Sequence, residues 1–520
     1  MNYLKLKLLN YPAFAFVTMF VSLILSCKSK EDPAPVPNLP PLAFNVTSSL
    51  STNGQDVILR WNKSKDPEGD IVTYAVVYKD TLVKNLSDTT YIIKSLPFET
   101  EIKGTVVAKD TKGNKTVSSF SALTGMDYVA IPDVNFEEDL IKLKIDDVQD
   151  GKVLKSSVIK VTELFVSKES NVGDNKVKDL TGLQAFINLE TFKCSYNRIK
   201  NLDLSKNTKL KFLECANNQM ISIDIAKNEE LLQLDCSNNQ LSILDVNKNL
   251  KLEKLECSYN RIKNLDLSKN TKLKFLECTN NQMISIDIAK NEELLQLDCS
   301  NNQLSILDVN KNLKLEIFEC SGNQITNLDI SKNLVLSRLF CSGNKLTTLD
   351  VSKNILLELL YCGFNQLNNL DISLNVNLKA LECSYNELTN LDIKKNSKLG
   401  VIFCASNQLV SLDVSNNTLL GALYCSNNKL VNLDVTKNVS LQDFNCSSNK
   451  LNNLDLSKTL KLVILQCQNN NLIELDLRTN ISMKYLYCSQ NNIKTICLKN
   501  LNQVATNWEK DPTATYKVCP

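Results

Sequence analysis

Histidine is missing altogether from the 520 residues. Its absence removes the Ser/His/Asp and Cys/His nucleophile arrangements, the HExxH zinc site and the usual general base near neutral pH. An excess of charge of one sign is missing too: 59 Lys and Arg stand against 57 Asp and Glu, a formal net charge of +2. Such a chain has no global basic field to draw it to nucleic acid or to acidic lipid, so nucleic acid is not an expected partner. Proline, present 11 times in the chain, is absent from 133 to 511, as unbroken strand stacking demands. At roughly 150 residues per domain the length leaves room for about three domains, although repetitive chains break that prior. A single compact core is not expected.

Cysteine is present in quantity, and its positions say more than its number. Of 18 cysteines, Cys27 stands alone near the N-terminus, fifteen run from Cys194 to Cys488 at intervals of 21 residues, and Cys497 and Cys519 close the chain. Residues 1–26 carry Lys5 and Lys7, then an apolar run from Ala13 to Leu25 broken only by Thr18 and Ser22. This pattern predicts a signal peptide, too short for a permanent membrane span. It ends Ile24-Leu25-Ser26-Cys27, which resembles the bacterial lipobox. The resemblance implies that Cys27 is acylated and that outer-membrane lipid is a partner, because several acyl chains anchor stably where one is marginal. Residues 27–41, with Pro33, Pro35, Pro37, Pro40 and Pro41, read as an extended polyproline II linker. Lys28-Ser29-Lys30-Glu31-Asp32 resembles the surface-export signal of Bacteroidetes lipoproteins, which implies an outer-membrane location facing the cell exterior.

Residues 42–125 alternate apolar and polar in short runs separated by turn signals such as Asp66-Pro67-Glu68-Gly69 and Lys112-Gly113-Asn114, the pattern of a small β-sandwich. Trp61 at the end of Val57-Ile58-Leu59-Arg60-Trp61, Tyr74 to Tyr78, and Leu96-Pro97 leading to Val106-Val107-Ala108-Lys109-Asp110 resemble a fibronectin type III domain. The corner tyrosine of that family is replaced by Ile102. From 126 to 188 the pattern changes. Acidic residues early in Pro132–Ile141, with Phe136, Leu140 and Ile141 at amphipathic spacing, predict a short helix. A solenoid exposes its first core layer unless something covers it, so the helix is expected to be a cap. Leu164, Val166, Val177, Leu180 and Leu183 would form an irregular first turn.

With Leu189 as the first position, LxxLxCSxNxLxxLDLSKNxx recurs fifteen times through residue 503. Residues 194–253 and 257–316 are nearly identical, differing at Ala216 against Thr279, so three repeats were duplicated as a block. The motif resembles that of leucine-rich repeat proteins and is most similar to the 21-residue cysteine-containing repeats of Bacteroidetes surface proteins. The expected fold is mainly β: a solenoid of stacked parallel strands over 189–503, preceded by the sandwich and the helical cap, with 504–520 as a C-terminal cap. Strand alternation puts the fourth and sixth positions inward (Leu213 and Cys215, Leu234 and Cys236) and the third, fifth and seventh outward.

Each ladder of identical residues has an expected duty. Asparagine at the ninth position, Asn197 to Asn491, can donate to and accept from backbone groups where the strand turns away. The fifteen ladder cysteines point the same way on parallel neighbours, which is poor disulfide geometry. Without histidine or CxxC pairs they form no zinc set, so they read as small buried hydrophobes. Cys497 and Cys519 lie outside the ladder and flank the segment containing Trp508; a disulfide sealing the C-terminal cap suits an exported protein. Aspartate fills the fifteenth position in fourteen repeats, Asp203 to Asp476. Unit charges about 5 Å apart repel by roughly 1 kcal/mol even in water. Lysine three residues on, as in Lys206, Lys227 and Lys248, and hydrogen bonds from turn amides are the expected offsets. Aligned carboxylates also suit calcium, but the repeat lacks the glycine-rich nonapeptide of calcium solenoids, and no metal or cofactor is expected.

The outward positions are free of core duty, so function is sought there. The fifth position runs acidic from Glu214 to Glu319 and then turns aromatic at Phe340, Tyr361, Phe403, Tyr424 and Tyr487. With Leu359 and Val401 at the third position, and Phe364 and Tyr385 near the strand ends, these residues predict an exposed ligand-binding patch. The expected function is non-enzymatic: a lipid-anchored surface binding protein or adhesin recognising a protein or polysaccharide. An enzyme, or an accessory subunit of a polysaccharide-processing complex, is the alternative. Glycosidase chemistry needs two carboxylates about 5 to 9.5 Å apart, and the acidic stripe supplies such spacings on an open surface without a pocket.

Overall fold

The computed structural model describes residues 35–169, 173 and 175–520; Cys27, the expected signal peptide and the start of the expected linker lie outside the described residues. The chain divides into two units, Met1–Met126 and Asp127–Pro520.

In the first unit, alternating strands bury one face each. Seven strands, β1 (Val46–Leu50), β2 (Val57–Trp61), β3 (Thr73–Tyr78), β4 (Asp80–Leu86), β5 (Thr90–Ile93), β6 (Glu101–Lys109) and β7 (Lys115–Leu123), form two antiparallel sheets. Their orders are β1-β2-β5 and β4-β3-β6-β7. Val57, Leu59 and Trp61 of one sheet meet Tyr74, Val76, Ile102, Val106 and Ala108 of the other. Trp61 meets Tyr74 edge-on at 5.4 Å, an arrangement aromatic quadrupoles favour. The Ser64 amide donates to the Tyr74 hydroxyl at 2.7 Å, so the buried phenol keeps a partner. Ile102 is wholly buried in this core.

The second unit starts with β8 (Tyr128–Ala130) antiparallel to β9 (Lys152–Leu154), with helix α1 (Val134–Lys142) between them. Asp133 caps the helix, accepting from the amides of Asn135 and Phe136, and its second oxygen accepts from Lys178 and Asp179. One carboxylate thus satisfies helix orphans and ties the helix to the first turn of the solenoid. Phe136 and Leu140 are buried as expected, but Ile141 is only half-buried, while Glu137 and Asp139 are buried instead. Both acids are satisfied there. Glu137 Oε1 accepts from the amides of Asp150, Gly151 and Lys152, and Asp139 takes both its oxygens to Lys168 Nζ at 2.5 and 2.7 Å.

The solenoid is a parallel sheet of 16 strands. It begins at β10 (Glu163–Phe165) and continues with one three-residue strand per repeat, from Thr191–Lys193 to Tyr485–Tyr487. Neighbours pair in step, as Leu213 opposite Leu234 and Leu234 opposite Leu255, so equivalent residues stack in files. The fourth and sixth positions are buried throughout, as Leu213 and Cys215 or Leu234 and Cys236. A buried leucine in such a file contributes about 1.5–3 kcal/mol, and truncating one, as in Leu297→Ala, removes about 2–5 kcal/mol. The seventh position departs from the expected outward placement: Ser195, Ala216, Ser258, Ser300, Ser384 and Ser447 are buried. The strand ends at the fifth position, and the eighth residue bends the backbone into the left-handed region in every repeat, with φ between 52° and 67°.

Two asparagine files run through the turns. The ninth-position amide works in both directions. Asn323 Oδ1 accepts from the Leu304 amide at 3.0 Å, and its Nδ2 donates to Cys299 O and Cys320 O. A second file at the nineteenth position, Asn207 to Asn480 with Thr459 in place of one asparagine, is wholly buried. Each of these asparagines donates to two carbonyls of the preceding turn, as Asn333 to Val309 O and Asn312 O. The repeat pattern alone gives no sign of this duty.

The aspartate file is held by turn amides, as expected, and not by ion pairs to the lysines three residues on. Each carboxylate accepts from the amide two residues on, as Asp203 from Ser205 and Asp329 from Ser331, an Asx-turn bond. Among the described residues, none of the lysines three residues on reaches ion-pair distance; Asp413 pairs with Lys394 and Asp476 with Arg478. Lysines instead link like positions one repeat apart, as Lys211 to Glu190, Lys251 to Glu230 and Lys314 to Glu293. These pairs are exposed and contribute little each.

A short sheet of Glu474–Asp476, Thr495–Leu498 and Thr515–Val518 closes the far end. Cys497 pairs in register with Asp476, so it occupies the aspartate file, and it is disulfide-bonded to Cys519.

Candidate binding surface

The fifth-position side chains form one continuous file: Phe340, Tyr361, Glu382, Phe403 and Tyr424 lie opposite one another in consecutive strands. Parallel strands lie about 4.8 Å apart, which sets ring against ring. Phe403 and Tyr424 stack at 4.7 Å with planes 20° apart, and Phe340 meets Tyr361 edge-on at 5.0 Å. The Tyr424 hydroxyl donates to the Asp443 carboxylate. Burial, and then that bond, pushes the phenol up to about 12, so it stays a donor at neutral pH. Leu359 and Val401 stand in the third-position file, separated by Ala380. Phe340, Leu359, Tyr361, Val401, Phe403 and Tyr424 are half-buried rather than exposed as expected, because in-step stacking sets each side chain against its neighbours in the file.

Glu382 interrupts the aromatic file, yet its charge is tied down. Its Oε2 accepts from the Gly363 amide at 2.8 Å and from Ser342 Oγ at 3.3 Å, and its Oε1 accepts from the Ser384 amide at 2.9 Å. A Cβ on Gly363 would lie 2.2 Å from Glu382 Oε2. Glycine at 363, where most repeats carry serine, therefore makes room for the carboxylate to fold away between Tyr361 and Phe403.

Phe364 and Tyr385 form a second row at the eighth position. They stack at 4.2 Å with planes 13° apart, and they remain 57% and 52% exposed. Their backbones have φ of 52° and 55°. Bulky residues seldom adopt that conformation, whereas Asn and Gly do so readily. Six of the other repeats carry asparagine there (217, 238, 280, 301, 427, 469) and two carry glycine (322, 343). Tyr196 and Tyr259 are held singly on the same left-handed backbone and are 39% and 54% exposed; Phe364 and Tyr385 are set apart by standing side by side, two strained and exposed rings in one stack. Strain of this kind is a pointer to function. Residue type points to the rings, but the left-handed backbone beneath them is visible only in the structure.

Tyr487 does not join the patch. Asn445 and Gln466 separate it from Tyr424, and its strand bridges Glu509 of the C-terminal segment.

On the other side of the patch lie Glu214, Asp235, Glu256, Glu277, Asp298 and Glu319. Lys193 and Lys254 pair with the first and third. Burial, and then the neighbouring carboxylates, raise Glu277 and Glu319 above the usual carboxylate range. Lys254 and Arg338 offset this crowding only in part at Glu277 and Glu319.

The fifteen ladder cysteines are all free and buried. Burial pushes their thiols up, to about 12 at Cys257, Cys341 and Cys404, so they hold no thiolate at neutral pH to ligate a metal or attack an electrophile. Among the described residues, the acids that approach one another closely enough to share an ion are Asp66, Asp70 and Asp110 of the sandwich. Asp66 closes a turn through the amides of Glu68 and Asp70. Asp110 accepts from Asn38 and the amides of Lys112 and Asn114, and Asp70 faces Lys112 at 3.3 Å.

Files of leucine, cysteine and asparagine around a one-strand-per-turn parallel sheet define a leucine-rich repeat solenoid. The functional domain of InlJ from Listeria monocytogenes, whose structure includes a cysteine ladder, is 30% identical with a TM-score of 0.61, covering 75% of this chain and 82% of that one. An internalin, InlF, from the same organism is 24% identical with a TM-score of 0.56, over 62% and 97%. YopM from Yersinia enterocolitica is 24% identical with a TM-score of 0.52, over 66% and 76%. No family model and no curated protein matches the chain. On the fold, the repeat and the likeness to InlJ, the chain belongs to the leucine-rich repeat proteins.

Proposed function

We propose that this chain is a lipid-anchored cell-surface binding protein, an adhesin in function, and that it performs no catalysis. Acylated Cys27 holds it to the outer membrane, a fibronectin type III-like sandwich spaces the solenoid from the anchor, and the sheet of repeats eight to twelve recognises a ligand. The 3+4 antiparallel arrangement of the first unit supports the sandwich assignment. A protein-binding role fits the leucine-rich repeat neighbours.

The exposed Phe364–Tyr385 stack on left-handed backbone carries the proposal. Between a polypeptide and a polysaccharide, ring orientation favours the polypeptide. Phe403 and Tyr424 turn a face to each other, as do Phe364 and Tyr385. Within each pair one face of each ring is taken up by its partner, whereas a sugar seeks an open ring face. Amphipathic aromatics of this kind are the usual anchors of protein interfaces. Residues 28–520 are to be screened against matrix proteins, whole bacterial cells and polysaccharides, with the Phe403→Ser/Tyr424→Ser variant beside them. Binding of a protein that the variant loses supports the proposal; unchanged binding by the variant removes this patch from consideration.

A further inference from the structure

The outer face of the four-stranded sheet in the first unit is hollowed to about 390 Å³, within the size range of small-ligand sites. Its origin is local. Strand β3 presents small outward residues, Thr73, Ala75 and Val77, between buried Tyr74 and Val76. β4 then slips register against β3 around Val76 and Val77, a bulge of the kind that bends a strand away from its neighbour. Asn85, at the lip, has φ of 56°. Ala75, Val77 and Val107 make an apolar floor.

Charge at the rim is of one sign. Lys84, Lys109 and Lys115 line the hollow, and no Asp or Glu does. Lys109 lies directly opposite Lys115 in the β6–β7 register, where like charges destabilise a strand pair. The ion pairs of this unit are Lys103 with Glu101 and Lys112 with Asp70, so among the described residues the three rim lysines have no carboxylate partner. A cross-strand repulsion left without an internal counter-charge suits an external anion.

We propose that this hollow binds an acidic oligosaccharide, one bearing carboxylate or sulfate groups. The apolar floor takes the C–H face of a sugar ring, Thr73, Thr81 and Asn85 meet its hydroxyls, and the three ammonium groups set the anionic substituents. A bilayer surface is the less favoured source of anions. The lysines surround a depression, where a sugar can enter and a flat array of headgroups cannot. The site is independent of the aromatic patch on the solenoid.

The full chain is titrated calorimetrically with polygalacturonate oligosaccharide, with heparin oligosaccharide, with neutral dextran and with phosphatidylglycerol vesicles. Lys109→Gln/Lys115→Gln is compared with the parent and with Lys94→Gln, an exposed lysine that does not line the hollow. These are surface changes, and unchanged denaturation midpoints verify folding. The expected result is binding of at least one acidic oligosaccharide and not of dextran, weakened tenfold or more in the double variant and unaltered in Lys94→Gln and in Phe364→Asn/Tyr385→Asn. Equal binding of dextran, equal loss in Lys94→Gln, retention by the double variant, or binding of vesicles without oligosaccharide would overturn the proposal.

Discussion

Replacing Asn323 by alanine separates two kinds of asparagine that the repeat uses twice per turn. Asn323 is the sole partner of the buried Leu304 amide, through Oδ1 at 3.0 Å. Its two amide hydrogens serve Cys299 O and Cys320 O, with Ser321 O a longer third contact at 3.3 Å, and each carbonyl is shared: Cys299 O also receives Asn302, Cys320 O also receives Asn344, and Ser321 O also receives the Asn301 amide. Truncation therefore orphans one buried donor, at about 1–3 kcal/mol, and removes two further bonds at about 0.5–1 kcal/mol each. The expected loss is about 2–5 kcal/mol. Asn333 in the second file differs: its Oδ1 has no partner, and the carbonyls it serves also receive the Asn312 and Leu315 amides. Thr459 already stands in this file, its hydroxyl donating to Leu456 O. Asn333→Thr should thus cost under about 1.5 kcal/mol. Urea unfolding gives the comparison, and hydrogen exchange at the Leu304 amide localises it, because repeats couple mainly to neighbours. A loss below about 1 kcal/mol for Asn323→Ala, or an equal loss in Asn333→Thr, would refute this division of labour.

Three further outcomes follow from the same structure. A maleimide reagent at pH 8 should leave all fifteen ladder cysteines unlabelled in the native chain and label them in denaturant, by mass spectrometry; rapid labelling of any one would show that its turn opens. Glu277 and Glu319 have raised folded-state pKa values, so the folded chain binds their protons more tightly and stability falls as pH rises from the unfolded toward the folded value. Glu277→Gln and Glu319→Gln should then raise the denaturation midpoint at pH 7 and leave it nearly unaltered at pH 3, where both states are protonated; no gain at pH 7 would contradict the crowding. Gly363→Ala pushes against the movable end of Glu382, so it should cost under about 1 kcal/mol while freeing a carboxylate between Tyr361 and Phe403. Ligand affinity measured by interferometry should fall, and unchanged affinity would mean that the burial of this charge is irrelevant.

Periodicity makes the solenoid legible. A strict interval of 21 residues forces equivalent side chains into files, so the inward leucines and cysteines follow from the repeat alone. Long-range partners are less legible. The Asp–Lys spacing suggests ion pairs, but the amide two residues on is closer and already oriented, and it takes the carboxylate. Burial of Glu137 and Asp139 depends on the Asp150–Lys152 amides and on Lys168, none of which a helical pattern can indicate. For the binding surface, Phe340 to Tyr424 follow from alternation, whereas Tyr487 shares only residue type with them across two intervening strands. The folding-away of Glu382 rests on a glycine one repeat earlier, and the strain under Phe364 and Tyr385 on a φ value. Neither has a signature in one repeat alone.

The most direct test of the binding surface is Phe364→Asn/Tyr385→Asn, because asparagine is the residue that position most often carries. Losing the stack removes about 0.5–1.5 kcal/mol, and relieving two bulky left-handed residues returns about 1–2 kcal/mol per residue at most. Stability should therefore hold or rise slightly, so weakened binding could not be ascribed to unfolding. Urea unfolding and affinity for the protein ligand found in the screen are measured on the same preparation. Stability retained with affinity lost tenfold or more is the predicted result. Affinity retained in a stably folded variant would contradict the claim that these repeats recognise the partner.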